Sequence, residues 1–190
     1  ANARERGMKR VQVEPHLSVT GACSAEWVPI KPKTDAAFLY ALLHVMLHEA
    51  PREKLDIEFL TRHTSSPYLV GAHGFYLREP ATGAPIIAAS LEAKETHIAL
   101  ETGADGEVLA EGSLEGETAF VKLLAHMKQY TPEWAEGVCD VPAARIRRIA
   151  NEYLDAACVG QTIEIEGMTL PFRPVAVSLG KTVTNGWGGF

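Results

Sequence analysis

Glu14-Pro15-His16 and Pro32-Lys33-Thr34-Asp35 are the two stretches of this sequence whose residue types could meet a nucleotide. A carboxylate at the carboxyl end of a strand can accept both hydroxyls of a ribose, the usual task of an acidic residue in dinucleotide sites. Lys33-Thr34-Asp35 offers an ammonium, a hydroxyl and a carboxylate at a helix start, where free backbone N–H groups favour phosphate. The Asp35 carboxylate could there accept from the N–H edge of a purine such as guanine. Plain helix capping competes with this reading for Thr34 and Asp35, since Thr is a good N-cap and the helix dipole favours acid in the first turn.

Other chemistries find little support. Neither Gly-x-Gly-x-x-Gly nor Gly-x-x-x-x-Gly-Lys-Ser/Thr occurs, so an ordinary NAD or P-loop site is unsupported. His44 and His48 stand four apart on one helix, but the run His-Val-Met-Leu-His lacks the glutamate of the zinc-protease motif and has no third ligand. Both are read as structural. His63, His73, His97 and His126 show no partner spacing, and no serine sits in a nucleophile-elbow context. The three cysteines, Cys23, Cys139 and Cys158, are scattered, which gives neither a disulfide framework nor a metal knuckle; buried thiols are expected.

The elements that must position these residues follow from composition and pattern. The 190 residues carry 46% hydrophobic and 22% charged side chains, ordinary for one globular domain with a sizeable insertion. A formal net charge of -6 argues against a sequence-blind nucleic-acid surface, which needs clustered Lys and Arg. No apolar run approaches the roughly 20 residues that cross a bilayer, so no membrane insertion is expected. Both ends start and stop abruptly and read as cuts.

Arg10-Val11-Gln12-Val13-Glu14 alternates and is β-branched, which predicts a strand ended by Pro15. A polar loop with Ser18, Thr20 and Gly21 leads to a second extended piece, Trp27-Val28-Pro29-Ile30. Thr34 opens a helix over residues 35–49 that Pro51 stops. Asp56 caps a short helix through Arg62. Residues 65–116, rich in glycine, are expected to leave the core as an irregular insertion, with a hairpin formed by residues 75–78 and 85–88. Helix is expected again over residues 118–130. Thr131-Pro132 and Val141-Pro142 open two more, the second with Ile146, Ile149, Ala150 and Tyr153 on its apolar face and Arg145, Arg148 and Glu152 opposite. A hairpin over residues 161–172 turns at Glu166-Gly167, and residues 174–180 are expected to form a buried strand beside the one at Val11. The expected class is α/β: a partial doubly wound, Rossmann-like, mostly parallel sheet with helices on both faces and a loop or hairpin insertion. The whole of residues 1–190 is expected to form one cofactor-binding domain.

Several segments, in order, resemble the molybdopterin-guanine-dinucleotide oxidoreductases, the dimethyl sulfoxide reductase family. That family has a strand ending in Asp-Pro-Arg or Asp-Pro-His, then Ser/Thr-x-Thr, an alanine-rich loop, Trp-x-Pro-Ile, and Pro-Gly-Thr-Asp opening a helix. The corresponding residues here are Glu14-Pro15-His16, Ser18-Val19-Thr20, Trp27-Val28-Pro29-Ile30 and Pro32-Lys33-Thr34-Asp35. Further matches are Glu58-Phe59-Leu60-Thr61-Arg62-His63-Thr64, Tyr130-Thr131-Pro132-Glu133-Trp134-Ala135 and Arg173-Pro174-Val175-Ala176-Val177. Two positions depart: Lys33 stands where the family has glycine, and Glu14 where it has aspartate.

The resemblance implies that the chain is the central domain of a larger catalytic polypeptide, and such a fragment is not catalytically complete. Its parent would hold molybdenum or tungsten between two molybdopterin guanine dinucleotides, commonly with an iron–sulfur cluster elsewhere, and no metal is expected on the fragment itself. Glu14, His16, Ser18, Lys33, Thr34 and Asp35 would line the guanosine and phosphate site, and Asn185 would approach the cofactor. Expected partners are the rest of the catalytic subunit and an electron-transfer subunit. The long insertion and the Arg-Pro-Val-Ala-Val pattern lean towards a parent acting on sulfur or arsenic oxyanions. A noncatalytic interaction module, with residues 65–116 as its partner surface, is the alternative.

Overall fold

The structure is a computed structural model in which residues 2–93, 95–102 and 108–179 are described, with the backbone alone at 2, 95–102 and 108–114. It is mixed α/β and divides into two compact units, Ala1–Leu55 with Met127–Phe190, and Asp56–His126.

In the first unit α1 (Asn2–Glu5) precedes β1 (Val11–Glu14), which Pro15 ends as expected. The polar loop after it is in part a single helical turn, α2 (Val19–Ala22), because Ser18 adopts an extended backbone and its hydroxyl accepts from the Gly21 N–H. β2 (Glu26–Pro29) pairs with β1 in parallel, Val13 opposite Val28 and Glu14 opposite Pro29. α3 (Asp35–His44) continues as a π-helical turn, Val45–Glu49, in which the Ala50 N–H reaches the Val45 carbonyl at 2.8 Å.

The second unit begins with α4 (Ile57–His63), where the Asp56 carboxylate accepts from the Phe59 N–H at 3.1 Å, the cap its sequence implies. β3 (Leu69–Val70), β4 (Glu95–Thr102), β5 (Val108–Glu115), β6 (Glu117–Thr118) and α5 (Ala119–Met127) follow. β3 pairs antiparallel with β6, and β4 with β5. The hairpin expected around residues 75–88 is a set of isolated bridges, including Arg78 with Pro85, closed by the Arg78 guanidinium on the Gly83 carbonyl at 2.7 Å. Leu69, Ile86 and Ala88 form the small core of this unit.

Back in the first unit, α6 (Pro132–Cys139) opens with Thr131, whose hydroxyl accepts from the Trp134 N–H, and ends at Asp140 in the left-handed conformation. α7 (Ala143–Ala156) buries Ala143, Ile146, Ala150 and Leu154, a stripe at helical spacing in which Leu154, rather than the expected Tyr153, supplies the last apolar contact. One core joins these helices to the parallel pair: Val28 and Ile30 meet Phe38, Ala41, Ala135, Cys139, Val141 and Ile146, with Val11 and Val13 packed against them. Strand alternation and the register set Val11, Val13 and Val28 on one face, so the core lies on that face. Truncating the fully buried Ile146 to Ala would cost about 2–5 kcal/mol.

β7 (Thr162–Ile165) and β8 (Met168–Pro171) form the expected hairpin, with positive φ at Glu166 (51°) and Gly167 (78°), as a two-residue turn of type I′ requires. The strand expected at residues 174–180 is not formed over 174–179, the part that is described; Val177 and Leu179 are exposed there. Alternating apolar residues become a strand only where a ladder partner accepts their backbone groups, and among the described residues none pairs with this segment. What the described residues contain of a parallel sheet is the pair β1–β2.

Candidate functional site

Glu14 ends β1 and closes on the turn that follows. Its Oε1 accepts from both the backbone N–H and the hydroxyl of Ser18, each at 2.8 Å, and the Gln12 amide donates to Oε2 at 3.3 Å. The Ser18 N–H is the main reason the carboxyl titrates below its ordinary value; nearby His16, exposed in the loop, pulls in the same direction. Ser18 in turn caps α2 through its hydroxyl, which accepts from Gly21 at 3.2 Å. A Cβ at Gly21 would lie 2.3 Å from Glu14 Oε1, so any larger residue there would make this carboxylate shift. Gly21 is thus a site residue that sequence reading took for a loop former; the signal was its spacing, three after Ser18 and seven after Glu14. The strand end is also pinned from β2, because the Trp27 indole N–H donates to the Glu14 carbonyl at 3.2 Å.

At the second stretch Lys33 holds φ of +67°, a left-handed conformation that costs a residue with a Cβ about 1–2 kcal/mol. It is one of the two positions that depart from the family pattern set out above. The turn changes what Thr34 does. It occupies the N-cap position and its carbonyl accepts from Ala37, but its side chain does not cap; the hydroxyl donates to the Lys31 carbonyl at 2.6 Å. Thr34 is therefore a cap by backbone only. Among the described residues no group donates to the half-buried Asp35 carboxylate, and the N–H groups of Asp35 and Ala36 find no acceptor. An acceptor, two donors and the exposed ammonium groups of Lys31 and Lys33 are left at one helix start.

The two stretches are neighbours by register. Because β1 and β2 are parallel with Glu14 opposite Pro29, the turn after Glu14 and the turn over residues 31–34 leave the same edge of the pair. The latter is fixed from below by the Lys31 N–H on the Cys139 carbonyl at 3.0 Å, and Cys139 is a buried thiol whose burial pushes its pKa up. Glu14, Ser18, Lys33, Thr34 and Asp35 thus belong to one rim, with His16 on its loop. Asn185 lies outside the described residues.

The remaining charges hold the frame. The Arg147 guanidinium on α7 binds Glu49 at 2.7 Å and Glu133 at 3.1 Å, tying the π turn and α6 together, and it lowers the Glu133 carboxyl to about 2. Glu26 at the start of β2 pairs with Arg148, while Glu152 binds Lys9 at 2.6 Å. His44 is buried with its Nδ1 2.9 Å from the Met127 carbonyl, a structural role, and among the described residues no cluster of three or more His, Cys, Asp or Glu could hold a metal. Of the cysteines only Cys139 is buried; Cys23 is exposed and Cys158 half-buried, contrary to the expectation for all three. No helix among the described residues is long and apolar enough to cross a membrane.

No family model matches the chain. Curated proteins do. The chain is 32% identical over 166 residues to a sulfite dehydrogenase subunit of Allochromatium vinosum, covering 78% of this chain and 17% of the relative. It is 25% identical over 181 residues to PhsA, the molybdopterin-containing subunit of the thiosulfate reductase of Salmonella typhimurium, covering 95% and 16%. To ArrA, the molybdopterin-containing subunit of the arsenate respiratory reductase of Chrysiogenes arsenatis, it is 27% identical over 153 residues, covering 80% and 14%. The chain spans about a sixth of the length of these relatives.

Proposed function

The chain belongs to the molybdopterin oxidoreductase catalytic subunits of the dimethyl sulfoxide reductase family, and from that premise we propose that it is the central α/β segment that binds one guanine dinucleotide of the cofactor. The observation that carries the reading is the shared edge. Glu14 and the start of α3 leave the same end of a parallel pair, where an elongated dinucleotide can be held along one rim.

The donor set suits the group. The free N–H groups of Asp35 and Ala36, with Lys31 and Lys33, would hold pyrophosphate oxygens, and the open Asp35 carboxylate would accept from the guanine N–H edge. Glu14 would serve the ribose with the lone pairs Ser18 leaves over, and the same reading takes His16, Thr34 and Asn185 to the cofactor. When bound, the molybdenum or tungsten pterin supplies two-electron chemistry. The residues of this chain would position and retain it; among the described residues no cluster of three or more His, Cys, Asp or Glu could hold a metal.

On this reading β1–β2 with its helices is part of a doubly wound, Rossmann-like sheet of the parent, and the irregular stretch at residues 65–116 is an insertion in one cofactor-binding domain. The parent transfers an oxygen or sulfur atom, or two electrons, between substrate and a redox chain. The names of the relatives favour sulfur or arsenic oxyanions as substrates. An iron–sulfur cluster elsewhere in the parent and an electron-transfer subunit would complete the chain.

Asp35→Ala in the intact subunit is the test. Loss of a charge-assisted hydrogen bond worth about 1.5–3 kcal/mol lowers molybdenum and guanine nucleotide content. Full occupancy with a lowered melting temperature would leave Asp35 a structural residue and count against the assignment.

A further inference from the structure

The hairpin of β7 and β8 sorts its side chains by chemistry. Its register opposes Ile163 to Leu170 and Ile165 to Met168, and alternation puts all four on one face. Thr162, Glu164, Thr169 and Pro171 take the other, where the Thr169 hydroxyl donates to Glu164. Every strand residue is exposed, the four apolar ones by 38% to 55%. The base is fixed: the Phe172 N–H donates to the Gln161 carbonyl at 2.9 Å, and the Arg173 guanidinium reaches the carbonyls of Cys158 and Gln161 at 3.2 Å each. A two-stranded hairpin is marginal in water unless its apolar face packs on something. Among the described residues nothing covers that face.

We propose that this face is the seat of another segment of the same catalytic polypeptide, an apolar strand or helix from outside these 190 residues. The inference rests on reading the chain as one segment of a larger subunit. Size decides between occupants. Four residues on each of two strands present a face of roughly 13 by 10 Å, far below the about 800 Å² per partner that a stable association of separate chains buries. A segment of the same polypeptide needs no such area, because the connection supplies its effective concentration. The relatives have ample chain to provide it, since the sequence spans only 16–17% of their length. Composition agrees: a wholly aliphatic patch suits a permanent contact, whereas exchangeable interfaces are about as polar as the general surface.

The experiment uses the intact catalytic subunit carrying Ile165→Cys or, as a solvent-facing reference, Glu164→Cys, labelled with a maleimide under native conditions and read by peptide mass spectrometry. A thiol at position 165 should react at least about ten-fold more slowly than one at 164. Equal rates overturn the proposal. So does protection at 165 that appears only with rising subunit concentration, which points to a second copy, or only on adding an electron-transfer subunit. Amide hydrogen exchange over residues 162–171 of the unsubstituted subunit checks the same point without a mutation: slow exchange supports a covered hairpin, and exchange as fast as in an exposed turn contradicts it. Molybdenum content of the same preparation reports on the cofactor assignment separately, so failure of one is not mistaken for failure of the other.

Discussion

The Glu14 carboxylate accepts the backbone N–H of Ser18 at 2.8 Å and its hydroxyl at 2.8 and 2.9 Å on the two oxygens, so the end of β1 and the start of α2 form one hydrogen-bonded unit. Ser18→Ala removes the hydroxyl that also caps Gly21, and should destabilise the chain by about 1 kcal/mol. Glu14 adds a pH signature. Its carboxyl is depressed by the Ser18 N–H, so its stabilisation is complete above the ordinary carboxylate value and falls away as pH drops through the folded value. Melting temperature followed on acidification should fall less steeply in Glu14→Gln than in the wild type.

Gly21→Ala tests the same junction from the other side. Its Cβ would fall 2.3 Å from Glu14 Oε1, which forces the carboxylate off Ser18. The carboxylate can swing aside, so the cost is that of its Ser18 hydrogen bonds, about 1 kcal/mol. Combining Gly21→Ala with Glu14→Ala should then cost less than the two losses summed, measurable as a non-additive change in the denaturation midpoint; strict additivity would show that the two do not meet.

Lys33→Gly should raise stability by about 1 kcal/mol, because glycine adopts φ of +67° without the Cβ clash. If the ammonium also holds a phosphate, cofactor retention in the intact subunit should fall at the same time. Opposite movements of melting temperature and molybdenum content are the expected outcome; a fall in both would remove the strain argument.

Glu133 sets a second acid transition. Hydrogen bonding from Arg147 lowers its carboxyl from 4.5 to about 2. The stabilising contribution is therefore full above about 4.5 and disappears as pH falls towards 2. Glu133→Gln should flatten the melting curve against pH in that window, while leaving the cofactor rim unchanged.

Features closed within a few residues were legible in the sequence. Asp56 and Thr131 cap their helices because the carboxylate or hydroxyl needs only the N–H three residues on, and Glu166-Gly167 turns the hairpin because Gly167 takes positive φ freely between two alternating runs. The order of residues around Glu14 and Asp35 likewise marked the family before any geometry was known. Features that depend on an unusual backbone turn, a close approach or a ladder partner were not legible. Thr34 has the residue type of a cap, yet its hydroxyl goes to Lys31 because Lys33 turns the chain left-handed. Residues 174–179 alternate like a strand, yet no ladder partner receives them among the described residues. Glu14 reads in the sequence as an acceptor for ribose, and the structure turns it onto Ser18, beside a Gly21 that leaves it room. Standard caps and tight turns are decided by residue type and spacing along the chain, which the sequence by itself states. Ladder partners and close approaches are decided by which segments meet in space, and that only the tertiary structure settled.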